Sequence, residues 1–203
     1  MSWKIHRSIR RVAAWAGICR DDSASQILEL ALSLPLLAVF VVGIFDFSGA
    51  LTLKQKLTNA AREGARVAAA DPANDLSTTA STPPPVSVSD AFYVIDDYLK
   101  SENINDCGLS GAEPVKTSGT LTWVSTAPGC VNLAPNLLTL TMNRGYITQQ
   151  TIGGTATDVV TTQVTIKYPY KWRFNSVITL LVPGARYGSV TYVSATATAF
   201  NEN

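Results

Sequence analysis

The sequence predicts an α+β protein: a long N-terminal helix that spans a membrane, followed by a small exported domain with a helix packed on an antiparallel sheet. Three observations carry this. From Ile27 to Phe45 nearly every side chain is apolar, and at about 1.5 Å per helical residue the run matches the ~30 Å hydrocarbon core of a bilayer. Beyond Cys107 the apolar spacing shifts to alternation, the period of half-buried strands. Between the two lies a Ser/Thr-containing stretch that ends in Pro83, Pro84 and Pro85, which reads as a polar linker finishing in stiff polyproline. The chain thus divides into a basic cytosolic leader at 1–24, a membrane helix continuing as an amphipathic helix at 25–71, a linker at 72–86 and an exported domain at 87–203. Its 203 residues have room for one membrane helix and one domain with a core of its own.

Charge sets the orientation. Lys4, Arg7, Arg10, Arg11 and Arg20 precede the apolar run, whereas Asp46 follows it and Lys54 and Lys56 come only farther along. The positive-inside rule keeps the N-terminus in the cytosol and sends the C-terminal domain across, although Lys54, Lys56, Arg62 and Arg66 soften the contrast. A net charge of +1 argues against a bulk nucleic-acid binder. In the leader, Trp3, Ile5, Ile9, Val12 and Trp15 sit among basic residues, so it is either an amphipathic helix on anionic lipid or a disordered topology signal. Asp21, Asp22 and Ser23 supply helix-capping oxygens. A secretory signal peptide fits poorly, because the apolar run is too long and Ala68-Ala69-Ala70 follows a charged helical stretch. The segment stays as an anchor.

Pro35 removes one hydrogen bond inside the run, which membrane helices tolerate. After Phe47 the helical pattern continues through Leu53, Leu57, Ala60, Ala61 and Ala68, with Glu63 and Arg66 placed to pair across one turn for about 0.2–0.5 kcal/mol. The alanine-rich stripe with Gly64 has two readings: close approach of another backbone, or packing on the chain's own domain. Asp71-Pro72 ends the helix, since the residue before proline leaves the helical region.

Glu29 is the anomaly in the apolar run. A carboxylate in hydrocarbon costs roughly 2.5 kcal/mol or more and usually has a partner. A basic leader, a small residue at Ala24, a glutamate at the fifth position after it, an apolar run with Pro35, and then LTNAAREGARVAAA together resemble the TadE-like family of tight-adherence pilus components. The resemblance implies a pilin-like fold and removal of the leader by a prepilin peptidase between Ala24 and Ser25, with Glu29 as the motif acid of the mature chain. Where the family more often has glycine before the cut, this chain has Ala24. Asn59, Ala60, Ala61, Arg62, Glu63, Gly64 and Arg66 form the helix assembly motif. The implied partners are the peptidase, other pilins or pseudopilins of the same system, the pilus assembly machinery and membrane lipid. The implied location is the bacterial inner membrane, single pass. The close likeness covers residues 25–70; a looser one lies at the C-terminus, where a Tyr-rich strand, an apolar crossover and a terminal SATATAF strand follow one another.

Within the exported domain, Ser87 or Ser89 is expected to cap a helix with Phe92, Ile95, Tyr98 and Leu99 on one face and Asp96, Asp97 and Lys100 on the other. Asp96 and Asp97 point about 100° apart and lack supporting ligands, so they read as a solvated face and not a metal site. Leu138, Leu140 and Met142 alternate with Thr139 and Thr141 in one strand; Val160, Thr162, Val164, Ile166, Tyr168 and Tyr170 line one face of another. Gly153-Gly154 joins them as a hairpin, and an earlier strand lies near Thr120 to Val124. WRFNSVITLLVP, residues 172–183, is too short to span a membrane and reads as a cover for one sheet face or as an interfacial segment. Small residues in the last strand, 187–200, suit a central position. Cys19 falls on the cytosolic side, while Cys107 and Cys130 lie in the exported domain, where an oxidising compartment permits a bridge contributing about 3 kcal/mol; two buried free thiols are the other reading.

No catalytic, cofactor-binding or metal-binding residues emerge. The single histidine, His6, lies in the leader, and Gly153-Gly154 lacks the Gly-Lys-Ser/Thr pattern of a phosphate loop. The chain therefore reads as a non-enzyme with two candidate roles. One is a minor pilin or pseudopilin acting in pilus assembly, adherence or surface attachment. The other is a single-pass anchored envelope protein with a partner-binding domain and no leader cleavage. Glu29 separates them, because an anchor has little use for an acid there.

Overall fold

The computed structural model describes residues 22–74, 76, 83–130, 137–174, 184 and 191–202. Two compact units divide the chain. One comprises residues 1–46 and 174–186, the other residues 47–173 and 187–203. Residues 1–21 of the leader, Cys19 among them, and most of the apolar 172–183 connection lie outside the described residues.

The first unit is described through the N-terminal half of helix α1, Asp22–Ala70. Pro35 lies inside this helix. Ile27, Leu32, Leu37, Phe40 and Ile44 all stand exposed, and none of the most apolar window is buried. Such surface is stable only against an apolar phase, since water contact costs about 25 cal/mol per Å². Among the described residues this is the one helix long and apolar enough to cross a membrane. Asp46, at the unit's boundary, is 2% exposed, and its carboxylate accepts the Phe174 backbone N–H at 3.2 Å.

The second unit is an α+β domain. Helix α2, Val86–Ser101, and a 3₁₀ turn, Leu109–Gly111, precede five strands: β1, Val115–Lys116; β2, Thr122–Ala127; β3, Leu138–Ile152; β4, Thr155–Tyr170; and β5, Thr191–Phe200. Every neighbouring pair is antiparallel and the sheet order follows the chain, β1-β2-β3-β4-β5. Leu138, Leu140 and Met142 of β3 and Val164 and Ile166 of β4 are fully buried, as alternation requires. The β3–β4 turn is Gly153-Gly154 with φ of +61° and +85°, a left-handed pair only glycine adopts at little cost, and Ile152 pairs directly with Thr155.

Three expectations are corrected. Neither Ser87 nor Ser89 caps α2: Pro85 occupies the cap position without a side-chain bond, Ser89 Oγ donates back to the Pro85 carbonyl at 3.2 Å, and Ser87 is buried. The last strand lies at the sheet edge, not its centre; its alanines suit the close packing of Ala195, Ala197 and Ala199 onto the core. Val160 is 52% exposed although its parity is inward, because the distal part of the β3–β4 hairpin, where it pairs with Ile147, runs past the core.

Residues 47–70 of α1 supply one wall of this core. Leu57, Ala60, Ala61, Ala65 and Ala68 are buried with Val88, Ala91, Ile95 and Leu99 of α2. Of the two readings of the stripe, packing on the chain's own domain is the one observed. Two bonds hold the end of α1, and Asn201 braces one of them. Arg144 Nη2 donates to the Asp71 carbonyl at 3.0 Å, placing a cation at the negative end of the helix, and Glu202 N–H donates to Ala69 O at 2.9 Å. Asn201 donates to Arg144 O at 3.3 Å and accepts from Thr162 at 2.6 Å. A register shift between Asn143 and Tyr146 accompanies the inward placement of Arg144.

Candidate functional site

The residues singled out by sequence fall at three places. The first is the start of α1. Ala24 and Ser25 lie in its first turn, and Glu29 follows Ser25 by four residues, one helical turn along the same face. Ser25 and Glu29 are exposed, and Glu29 makes no ion pair among the described residues. Its neighbours Ile27, Leu28 and Leu30 are 61–69% exposed. A solitary carboxylate in an apolar collar is thus the local chemistry, and it demands a positive partner once lipid replaces water.

The second is the NAAREGAR stretch of α1, and it has two faces. Ala60, Ala61 and Gly64 turn inward. A Cβ added at Gly64 would stand 2.3 Å from Ile95 Cδ1 and 2.6 Å from Ile95 Cγ1, so the absence of a side chain there sets how closely α1 and α2 meet. Asn59, Arg62 and Arg66 turn outward, and Arg66 pairs with Glu63 at 2.9 Å on the exposed side. Lys56 crosses to the end of α2, reaching both the Glu102 carboxylate at 3.0 Å and its carbonyl at 3.1 Å.

The third is the disulfide. Cys107 and Cys130 are bonded, both buried, and close a loop between the end of α2 and the segment after β2. Asn105 Oδ1 accepts the Cys107 N–H at 2.9 Å, and Gly129 N–H donates to Cys107 O at 2.7 Å. A Cβ at Gly129 would lie 2.3 Å from that carbonyl oxygen, which explains the glycine beside the cysteine.

Sequence reasoning missed a fourth cluster. Asp96 was expected on the solvated face of α2, yet it is 5% exposed; only Asp97 and Lys100 face solvent. Asp96 Oδ2 accepts from Lys100 Nζ at 2.6 Å, and the same ammonium lies 3.6 Å from Asp106. Burial first, and Asp106 beside it, hold the Asp96 carboxyl above its ordinary 3.8 despite the opposing Lys100; the bond to Asp96 raises Lys100 in turn. Tyr168 donates to Asn105 O at 3.0 Å, and burial keeps its phenol above 10.0. Periodicity alone could not find Asp96, because it lies beside Ile95 and one turn after Phe92 at the rim of the apolar face. Among the described residues no group of three or more His, Cys, Asp or Glu side chains is placed to hold a metal ion.

The class defined by these features is a protein with one apolar N-terminal helix and an α+β domain that shares the helix's distal half. Residues 24–66 match the family model described as TadE-like protein, so over this stretch the chain is similar to that family. The match begins at Ala24, takes in Glu29 and ends at Arg66; it covers about one-fifth of the chain and none of the sheet. Pilus components of this family are not an enzyme family. Comparison with curated proteins and with solved structures gives no match.

Proposed function

We propose that this chain is a minor pilin or pseudopilin of a tight-adherence type pilus system, cut by a prepilin peptidase between Ala24 and Ser25 and acting in pilus assembly, adherence or surface attachment. The observation that carries this is Glu29, an exposed carboxylate within an apolar helix, one turn from the residue that would become the new N-terminus. Cleavage leaves Ser25 with a charged amine, and Glu29 is its counter-charge, on the same chain or on the next subunit. The bond at issue lies near the N-terminal end of the described part of α1, where a peptidase at the cytosolic membrane face would act. In this reading the protein is single-pass in a bacterial inner membrane, with the basic leader cytosolic and the disulfide-bonded domain exported. Its partners are the peptidase, other pilins or pseudopilins and the assembly machinery.

The test is Glu29→Gln in the native host. The expected outcome is a folded, disulfide-bonded protein that is incorporated poorly into surface fibres or fails to support the assembly system. Normal fibres and adherence with the uncut wild-type chain would replace this reading with that of an anchored envelope protein.

A further inference from the structure

A cleft of about 340 Å³ lies between the stretch of α1 from Gly49 to Lys56 and the end of β4. A Cβ added at Gly49 would stand 2.9 Å from Tyr170 Oη, so β4 ends against this level of the helix. Three cations line the cleft, Lys56, Lys171 and Arg173, against the single carboxylate of Glu102, which Lys56 holds at 3.0 Å. Lys171 and Arg173 are exposed, and Lys171 forms no ion pair among the described residues. Trp172, between them in sequence, is held in place: its indole N–H donates to Thr191 Oγ1 at 3.0 Å, and its ring meets Tyr170 edge-on with centroids 5.3 Å apart. A further ammonium, Lys167, lies 4.2 Å from the ring centroid of Tyr192 on the neighbouring strand. Cations and amphipathic rings gathered in this way suit a membrane interface, where the rings take the headgroup layer and Lys and Arg take the phosphates.

The helix sets the level of the cleft. Gly49 follows Phe45, the last residue of the apolar run, by four residues and Lys56 follows it by eleven, rises of about 6 and 16 Å at about 1.5 Å per residue. The headgroup layer beyond a ~30 Å hydrocarbon core is about 5–8 Å deep on each side. With the run in hydrocarbon, the Gly49 end of the cleft stands in that layer and the Lys56 end stands beyond it.

We propose that this cleft holds the phosphodiester of an anionic phospholipid from the adjacent leaflet, with Lys171 and Arg173 on the phosphate and Trp172 beside them at headgroup level. Charge complementarity selects an anion, because an ammonium and a guanidinium both donate charge-assisted hydrogen bonds to phosphate oxygens. The position of Gly49 just past the apolar run selects a lipid as its source. The inference rests on the reading of α1 as a membrane span and is independent of leader cleavage.

The experiment uses the full-length, isotope-labelled chain in phosphatidylcholine nanodiscs, with phosphatidylglycerol added in steps as the probe. The Trp172 indole and the amides of Gly49, Thr52 and Lys171 should shift saturably with the phosphatidylglycerol fraction, and a lipid spin-labelled at its headgroup should broaden the same signals. Lys171→Gln should lower the apparent affinity for phosphatidylglycerol about fivefold, the effect expected of one cation at an anionic surface, and Lys171→Arg should preserve it. Lys171→Gln with Arg173→Gln should abolish the saturable shift while the Cys107–Cys130 bond and the rest of the spectrum persist. Lys54→Gln, which removes an exposed lysine of α1 that does not line the cleft, should leave the affinity nearly unchanged. Equal losses from Lys54→Gln and Lys171→Gln would mean a diffuse attraction to the surface and would overturn the site, as would signals indifferent to phosphatidylglycerol. Inorganic phosphate that reproduced the shifts in phosphatidylcholine discs would make the ligand a free anion and overturn the lipid assignment. A chain that does not enter the discs at all would overturn the membrane reading together with the proposal, so the two failures are told apart.

Discussion

The two halves of α1 solve opposite problems with the same secondary structure. Between Ile27 and Phe45 the helix shows its apolar side chains outward on all sides, and Gly43 has nothing within 4 Å of where a Cβ would stand. Between Leu57 and Ala69 only one face is apolar, its residues are mostly alanine, and Gly64 would meet Ile95 at 2.3 Å. Glu29 apart, the first half presents apolar side chains with, among the described residues, no packing partner to set their shape. The second half is specified by volume, to within a methyl group. The difference teaches that a helix can be read as one pattern while being selected by two solvents, an apolar phase that suits the exposed side chains of one half and the protein's own core for the other.

The sharpest way to break this comparison is to add volume to each half. Gly64→Val should destabilise the domain by about 3 kcal/mol through overpacking, whereas Gly43→Val should leave domain unfolding unchanged; urea unfolding of the full chain in detergent checks both. Removing volume gives an effect of similar size. Leu57→Ala, at a fully buried position, should cost about 3 kcal/mol, and Leu37→Ala, 62% exposed, should not alter the domain's midpoint. Equal responses from the paired sites would sink the two-solvent account. Removing the disulfide by Cys107→Ser with Cys130→Ser should cost about 3 kcal/mol by loop closure, read as a lower unfolding midpoint without a change in membrane retention.

The domain's own polar groups offer smaller effects, with signs that can be checked. Tyr168→Phe loses the bond to Asn105 O and should cost about 1 kcal/mol. Because the folded protein holds the Tyr168 proton more tightly than the unfolded chain, the stability linked to it is complete below pH 10.0 and is lost as pH rises beyond that; Tyr168→Phe should flatten this alkaline limb. Asp96 follows the same rule at the acid end. Its carboxyl is raised from 3.8, so its contribution is complete below that value and declines as pH rises through the raised one. In Asp96→Asn the decline should vanish, an outcome visible as a shallower dependence of the unfolding midpoint as pH rises above 3.8.

Much of this architecture was legible in the residues. The apolar run, the alternation of β3 and β4 and the Gly153-Gly154 hairpin each follow from local chemistry that needs no tertiary information, whereas the Cys107–Cys130 bridge was one of two readings and the fold decides it. Apart from the Ser87 or Ser89 cap of α2, the misreadings concern what lies across from an element. Ala195 and its alternating alanines signal close packing, but a small residue says nothing about whether the strand is at a sheet's centre or its edge. Asp96 looks solvated by polarity, and its burial depends on Asp106, Lys100 and the 3₁₀ turn, which are brought together only by the fold. Arg144 carries no periodic signal at all, since its inward placement comes with a register shift in β3. For the candidate site at the start of α1, Glu29 was legible because an acid in an apolar run is costly wherever the run is placed.

The account rests most directly on the fate of residues 1–24. The measurement is the mass of the N-terminal peptide from the protein in native membranes and from sheared surface material. A mature chain beginning at Ser25 is the predicted result, with a bulky charged replacement of Ala24 shifting the protein up by the mass of the leader. A native protein that retains Met1 through Ala24 would contradict it.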